Sequence, residues 1–487
     1  MSRKRKHTIN ISIIASVIIV ILLCTAIVKA IASIDFNAIL LSAGADLEED
    51  AGNRTNFLLL GTGGGEHDGA DLTDTIILVS LNRDNGTISL VSIPRDLHIE
   101  NPELQSARIN EIYFYAKEKF GDSEEGLEYL LEKVEEFSGI EIPYYIKIDF
   151  DGFTEIIDAL GGIDIYVEEK LYDPFYPREG TIGFELFSLS KGRHHLDGET
   201  ALKYARSRKT TSDFDRSKRQ QDILYAIKEK ALQTKTILSK SKLTNLLDTV
   251  KKNFETNLSV REFLTLGALA EDFNKDSITN RVLHDDPVYC GGFLYTPLVL
   301  TESYDGAFVL IPAGKISTVQ KYFEIATTHP EALEENLKVQ ILNGTTKSGS
   351  AAETKQVLQR YCLNITRFGN AANQEVTQTK IYYKPTPLPK ETPDSKIEYA
   401  EPKTLELIKA LIPTAETSTE FPQNYIDLGY KKTSDIIIEL GSDYTHSDDF
   451  LVDEFYSLYE EIYAEPEEET EEGAETSTET PAETTTE

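Results

Sequence analysis

Between Lys203 and Gln221, in "KYARSRKTTSDFDRSKRQQ", seven side chains are Lys or Arg and only two are Asp. The chain as a whole leans the other way: 82 acidic against 49 basic residues give a formal charge of −33. A local knot of cations in an acidic chain calls for an anionic ligand. Arg supplies four of the seven cations, and its planar fork suits bidentate contacts to phosphate. The preceding "HLDGETALKYARSR" predicts a helix with apolar positions at Leu196, Ala201, Leu202 and Ala205, and Arg206, Arg208 and Lys209 gather at its exit. A second helix follows, with Ser212, Asp213 or Asp215 as its cap. On it Arg216, Gln220 and Ile223 share one face by i, i+4 and i+7 spacing, with Arg219 alongside. A solvated basic helix end is the plain alternative. The acidic context argues for a diphosphate or polyanionic glycan.

The second constellation lies in "NFLLLGTGGGEHDGADLTDTIILVSLNRDNGTISLVSIPRDLHI". Asn56 to Leu60 predicts a buried strand running into a loop, Gly61 to Gly65, whose backbone N–H groups can approach a phosphate closely. "DTIILVSLN" and "TISLVSIP" predict two more strands joined at Asn85-Gly86, the preferred two-residue hairpin turn. With that turn, Asp74 faces Leu97 and Arg95 faces Ile76. Asp74 and Arg95 then share one open end of the hairpin, two residue steps out of register. A step is roughly 3.3 Å, so both reach one ligand. Taken singly, each feature has an ordinary explanation: a turn, a capping segment, or an Arg95–Asp96 surface ion pair worth little. Their convergence points to an anion site.

The N-terminus sets the compartment. Four consecutive cations, Arg3 to Lys6, precede an apolar run from Ile9 to Val28, long enough for one helix to cross a bilayer. The positive-inside rule leaves residues 1–8 cytoplasmic and everything past the span outside the cell membrane. "AIAS" (Ala30 to Ser33) resembles a signal-cleavage site, but the run exceeds a usual signal core, which favours a retained span over 9–32. The acidic balance argues against non-specific nucleic-acid binding, and nucleic acid is a poor fit outside the membrane. Cys290 and Cys362 fall in regions assigned to different domains and are expected to be free thiols.

At 487 residues the chain holds two or three domains. An α/β-patterned stretch from Arg54 follows a linker over 33–53. After the connector "TTHPEALEEN" comes a smaller unit: strand "KVQILNG", helix "SAAETKQVLQRY", strand "KIYYKP", helix "TLELIKALI" and strand "SDIIIELG". Helices alternating with strands predict a small α/β domain over 336–445. A short amphipathic segment over 446–463 precedes residues 464–487, which hold ten Glu and no large apolar side chain. That tail is expected to be disordered and self-repelling.

The pieces "FLLLGTG", "LTDTIILVSLN", "VSIPRDLHI", "RINEIYFY", "YYIKIDFDGFTEIIDALGGIDIYV", "HLDGETALKYARSR" and "DFDRSKRQQDIL" occur here in one order. That series resembles the LytR–CpsA–Psr family of membrane-anchored glycopolymer transferases, over roughly Asn56 to Ile227. "YDGAFVLIP" extends the likeness, and "LKVQILNGTTKSGSAAETKQVLQ" resembles the small C-terminal domain often found behind this module. The resemblance implies an α/β fold in which a central mixed β-sheet flanked by helices spans 54–328. It implies transfer of a glycopolymer from a polyprenyl-pyrophosphate carrier to a muramic-acid hydroxyl of peptidoglycan, through a phosphodiester. Carried over by motif, Arg95, Arg206, Arg208, Arg216 and Gln220 would bind the pyrophosphate, and Asp74 would hold Mg²⁺ or Mn²⁺. Arg219, Asp213, Asp96 and Arg108 would support them. Two positions depart from the family pattern: Gly63 stands where an Asp is common, and Leu72 where a basic residue is common. Asp71 or Asp68 is the candidate replacement for the missing ligand. Those departures support a second reading, a non-catalytic envelope scaffold that retains the anion pocket; a third is a hydrolase that uses water as acceptor.

Overall fold

The computed structural model describes residues 47–444, apart from 66–68, 85, 179–182, all but four residues of 208–253, 260, 263–264, 267–277, 298–303, 305 and 389–396. The expected membrane span, amphipathic segment and acidic tail lie outside the described residues. So do Asp68, Arg208, Asp213, Arg216 and Gln220. Among the described residues no helix is long and apolar enough to cross a membrane.

Three strands carry the first unit: β1 (Arg54–Gly61), β2 (Thr75–Asn82) and β3 (Thr87–Ile93). Their near-continuous apolar runs are the mark of strands covered on both faces. Successive side chains point to opposite faces, so one strand feeds two cores. Leu58, Leu60, Leu78 and Val91 enter one, and Phe57, Leu59, Val79 and Leu90 the other. Helices α1 (Ile109–Phe120) and α2 (Ser123–Ser138) cover the first face. Strand β4 (Tyr144–Ile148), helix α3 (Phe150–Ala159), helix α4 (Gly198–Arg206), β5 (Phe254–Thr256) and β6 (Ile278–Val282) complete the unit, with α3 and α4 on the second face. The sheet order is β5–β4–β1–β2–β3–β6. It is mixed: β1 runs parallel to β4 and β3 to β6, and the other neighbours are antiparallel. Asp side chains start three of the helices, with Asp122, Asp149 and Asp197 each accepting from backbone N–H groups of a first turn.

The hairpin register differs from the expectation. Asn82 pairs with Thr87 and Ile76 with Ile93, so the connection spans four residues, not two. Asn82 Oδ1 accepts from the Asp84 backbone N at 2.9 Å, an Asx turn that ends the strand before Asn85 is reached. Followed two steps beyond Ile76 and Ile93, this register sets Asp74 against Arg95.

The helix α5 (Ile316–Thr328) leads to a short helical turn, Pro330–Glu334, where a plain connector was expected; Ala332 and Leu333 are buried there. The second unit has β7 (Lys338–Asn343), α6 (Ser350–Arg360), β8 (Asn364–Asn370), β9 (Lys380–Tyr383), α7 (Lys403–Leu411), β10 (Glu416–Ser418) and β11 (Ile436–Leu440). Its sheet order is β8–β7–β11–β9–β10.

The two units share one core. Phe293 packs its ring at 4.9 Å from Tyr322 and at 4.9 Å from Tyr361, and the Gly291 backbone N donates to Arg360 O at 2.9 Å. Beside this seam Cys290 and Cys362 form a disulfide across 72 residues, where free thiols were expected. The aromatic packing brings together two cysteines that the sequence order separates. Cross-links closing loops of this length restrict the unfolded chain most, by about 4 kcal/mol in the chain-entropy account. Paired Cys290→Ser and Cys362→Ser replacement should therefore lower the unfolding free energy by about 2–4 kcal/mol. Guanidinium unfolding of the full chain, with and without reductant, checks this: reductant should reproduce the loss in the parent and leave the double variant unmoved.

Candidate active site

The loops at one edge of the first sheet bring the candidate residues together. β1 and β4 run out at this edge, β2 starts there, and β3 ends there, because Gly61 sits between Ile148 and Thr75 in register. The exits of β4, β1 and β3 and the start of β2 therefore line up across three strand spacings, about 14 Å. Asp149 follows β4, the glycine loop follows β1, Asp74 precedes β2, and Arg95 follows β3.

Asp74 and Arg95 meet directly, Arg95 Nη1 donating to Asp74 Oδ1 at 3.2 Å. Both side chains are about half exposed, at 54% and 53%. Exposed pairs of this kind contribute little to stability, so a bound anion can draw Arg95 away at small cost. Asp96 lies 3.7 Å from Arg95 Nε and 3.5 Å from Arg108 Nη1. Arg108 is in turn held by Glu111, whose carboxylate takes its fork at 2.8 and 3.2 Å and its backbone N at 3.1 Å. The hydrogen bond to Glu111 raises the Arg108 pKa, and the hydrogen bond from Arg108 lowers that of Glu111. Asp74, Arg95, Asp96 and Arg108 thus form one chain of charge.

Asn110 ties this chain to the scaffold and was not among the residues singled out in the sequence. Its Nδ2 donates to Asp74 Oδ1 at 3.2 Å, and its backbone N and O engage Arg95 O and Thr73 N. Asn110 is 2% exposed, and its Oδ1 has no hydrogen-bond partner among the described residues. The only sequence signal for it was its place inside "RINEIYFY".

The glycine loop is shaped by Asp149. Gly64 has φ +68°, and a Cβ there would stand 2.6 Å from Asp149 Oδ2, so both conformation and contact require glycine. Asp149 also caps α3, accepting from Gly152 N at 2.7 Å. Leu72, one of the two departures, packs its side chain over Gly69, where a Cβ would meet it at 2.7 Å. Asp71 gives both carboxylate oxygens to Lys117 Nζ at 2.9 and 2.8 Å. Burial works against the Lys117 charge, but the Asp71 hydrogen bond together with the charge interactions with Tyr113 and Asp71 outweighs it, raising the lysine pKa.

On the other side of Asp149, the Arg206 guanidinium lies 4.2 Å from the centre of the Phe150 ring and 5.9 Å from that of Tyr176. Such contact orients an arginine side chain. Arg219 is 6% exposed and serves the backbone, donating to Tyr204 O at 3.0 Å and to Ser207 O. Ser207 Oγ donates to Asp173 at 2.7 Å, so the exit of α4 is pinned on two sides. Lys203, one of the seven cations of the knot, is held by Glu185 and Glu199 at 2.8 Å each.

The motif order agrees with the comparisons with known proteins. The LytR_cpsA_psr family model matches residues 32–302, more than half of the chain. The chain belongs to the LytR–CpsA–Psr family. A second model, described as LytR cell envelope-related transcriptional attenuator, matches residues 336–444. Among curated relatives, the polyisoprenyl-teichoic acid–peptidoglycan teichoic acid transferase TagV of Bacillus subtilis is 31% identical over 224 residues, 45% of this chain and 53% of TagV. TagT of the same organism, which carries the same transferase name, is 30% identical over 216 residues, 43% of this chain and 62% of TagT. The matches thus span between half and two thirds of these relatives' lengths. The crystal structure of B. subtilis TagV aligns with 26% identity and a TM-score of 0.39, covering 57% of this chain and 98% of that one. The structure of TagT bound to LI-WTA aligns with 23% identity and a TM-score of 0.37, covering 58% and 92%.

An arginine as exposed as Arg95 needs a firm base if it is to meet a ligand, and Glu111 supplies part of it through Arg108. Its folded pKa is lowered, so its stabilising contribution is present above the ordinary glutamate pKa and is lost as pH falls through the folded value. Glu111→Gln should therefore be less stable than the parent at pH 7, and the gap should close below about pH 4. Urea midpoints at pH 7, 4 and 3 test this; a gap that stays constant would show that the Arg108 pairing contributes nothing.

Proposed function

We propose that this protein transfers a glycopolymer from a polyprenyl-pyrophosphate carrier to a peptidoglycan hydroxyl. The observation that carries the reading is the Asp74–Arg95 pair, exposed beside a glycine loop at one sheet edge, with Arg206 over Phe150, which follows β4. Family membership and relatives named as teichoic acid transferases support it.

In this reaction the acceptor oxygen bonds to the phosphorus that carries the glycan. The bridge to the second phosphate breaks, polyprenyl phosphate leaves with the electron pair, and the hydroxyl proton is released. Phosphoryl transfer needs positioning and charge stabilisation more than covalent help from the protein. Arg95 and Arg206 neutralise the diphosphate, joined by Arg208, Arg216 and Gln220 from the same motif. Arg219 holds the α4 exit, where Arg206 ends the helix.

A divalent cation fits beside Asp74 better than beside Asp71. Both oxygens of Asp71 are engaged by Lys117, whereas only Oδ1 of Asp74 has a partner among the described residues. The buried Asn110 Oδ1, without a partner among the described residues, adds a hard oxygen on the adjacent side chain. One or two protein oxygens completed by substrate phosphate and water is the usual Mg²⁺ arrangement. Bound there, Mg²⁺ or Mn²⁺ would neutralise charge on the diphosphate oxygens.

The apolar run at residues 9–28 would hold the protein in the cell membrane with the site outside, where a lipid-borne donor and the wall acceptor both lie. The test is a transfer assay with the full-length protein in detergent, a polyprenyl-pyrophosphate glycan and peptidoglycan fragments. Arg95→Ala and Asp74→Ala should each lower transfer about 10²–10³-fold. Arg206→Lys, which keeps the charge and loses the fork, should cost about tenfold. Chelation should reduce transfer in the parent. Donor binding without product, across several donors and metals, would make this a scaffold instead, and donor cleavage without acceptor a hydrolase.

A further inference from the structure

The second unit holds a pocket of about 550 Å³ on the sheet face away from the shared core, and a buried carboxylate stands in its wall. Glu439, on β11, is 8% exposed. Tyr382 donates to its Oε2 at 3.2 Å, and Tyr425 donates to its Oε1. Both phenols have raised pKa values, burial being the largest cause and the neighbouring carboxylate a further one, so they stay protonated as donors. Each oxygen of a carboxylate offers about two acceptor positions, so about half of this acceptor capacity remains.

No described cation pairs with Glu439. Lys380 stands directly opposite it in the antiparallel register of β9 and β11, yet its half-exposed ammonium lies 3.6 Å from Glu416 instead. A buried carboxylate held by two neutral donors is a charge in need of a counter-ion. Tyr382 and Tyr425, whose π-systems attract cations, line the pocket with it, as do Asn424 and Thr377, which can serve a polar body.

We propose that this pocket binds a primary ammonium group carried on a small polar scaffold, with Glu439 as its counter-ion. An amino sugar and a lysine-type side chain both present that chemistry. The inference does not depend on the transferase reading, because the Glu439 wall lies in the other unit.

The experiment is calorimetric titration of the full-length protein in detergent with three probes: diglucosamine, its N,N′-diacetyl form, and a lysine-containing tripeptide. Diglucosamine or the tripeptide should bind, and whichever does identifies the source of the amine. The acetylated disaccharide, alike in shape but uncharged, should bind at least about tenfold more weakly than diglucosamine if the sugar is the source. Glu439→Gln should weaken the binding probe by a similar factor. Lys380→Met, at an exposed position that leaves the core intact, should tighten it about two- to fivefold by removing a competing cation. Equal binding of charged and acetylated sugars, no binding of either amine, or indifference to both substitutions would overturn the proposal.

Discussion

Everything at the candidate site hangs on the register of three strands buried on both faces. β1, β2 and β3 send alternate side chains into two separate cores, so a slip of one residue would move each apolar set to the wrong side. That double burial fixes Ile76 against Ile93. It therefore also fixes where the polar residues just past the strand ends must stand. Asp74 and Arg95 are half exposed and contribute little to holding the fold, yet their meeting at 3.2 Å is enforced by the fold's most buried part. Rigid apolar packing underneath, exchangeable charge on top, is the arrangement a site needs if its ion pair must open for a ligand.

Much of this was legible from the sequence, and the errors have physical causes. The strands, the helix α4 and the Asp74–Arg95 neighbourhood could be read from apolar runs and from motif order. The hairpin turn was misplaced because Asn85-Gly86 is the stronger local turn signal, whereas Asn82 ends the strand earlier through its own side chain. Strand β8 escaped because "NITRFGN" has no buried alternation to detect; an edge position lets its residues stay partly exposed. Asn110, Asp149 and the disulfide needed three-dimensional information. Asn110 reaches Asp74 from 36 positions away, and Asp149 meets Gly64 only because β1 and β4 are parallel neighbours.

The cation knot that first suggested an anion separates into roles. Lys203 is neutralised by two glutamates and Arg219 is buried on backbone carbonyls. Arg206 is held over an aromatic ring. A count of charges overstated the number available to a ligand, because some of them build the platform. What distinguishes the platform residues is burial and a second partner, neither of which composition reports.

The second unit uses its sheet twice. One face, with Ile341, Ile381, Ile436 and Ile438, belongs to the core shared with the first unit. The other, with Leu342, Tyr382 and Ile437, packs a small separate cluster beside the pocket where Glu439 sits. Residues 436 to 439 on β11 therefore alternate between joining the units and walling the pocket, by the simple two-residue period of a strand. Ile438 cannot shift without moving Glu439, since both belong to the same five-residue strand between β7 and β9. With the disulfide and the Phe293–Tyr361 packing fastening the seam, whatever occupies the pocket presses on a strand built into the common core. The second unit is thus a fixed part of the same body as the Asp74–Arg95 edge, and not an appendage on a flexible joint.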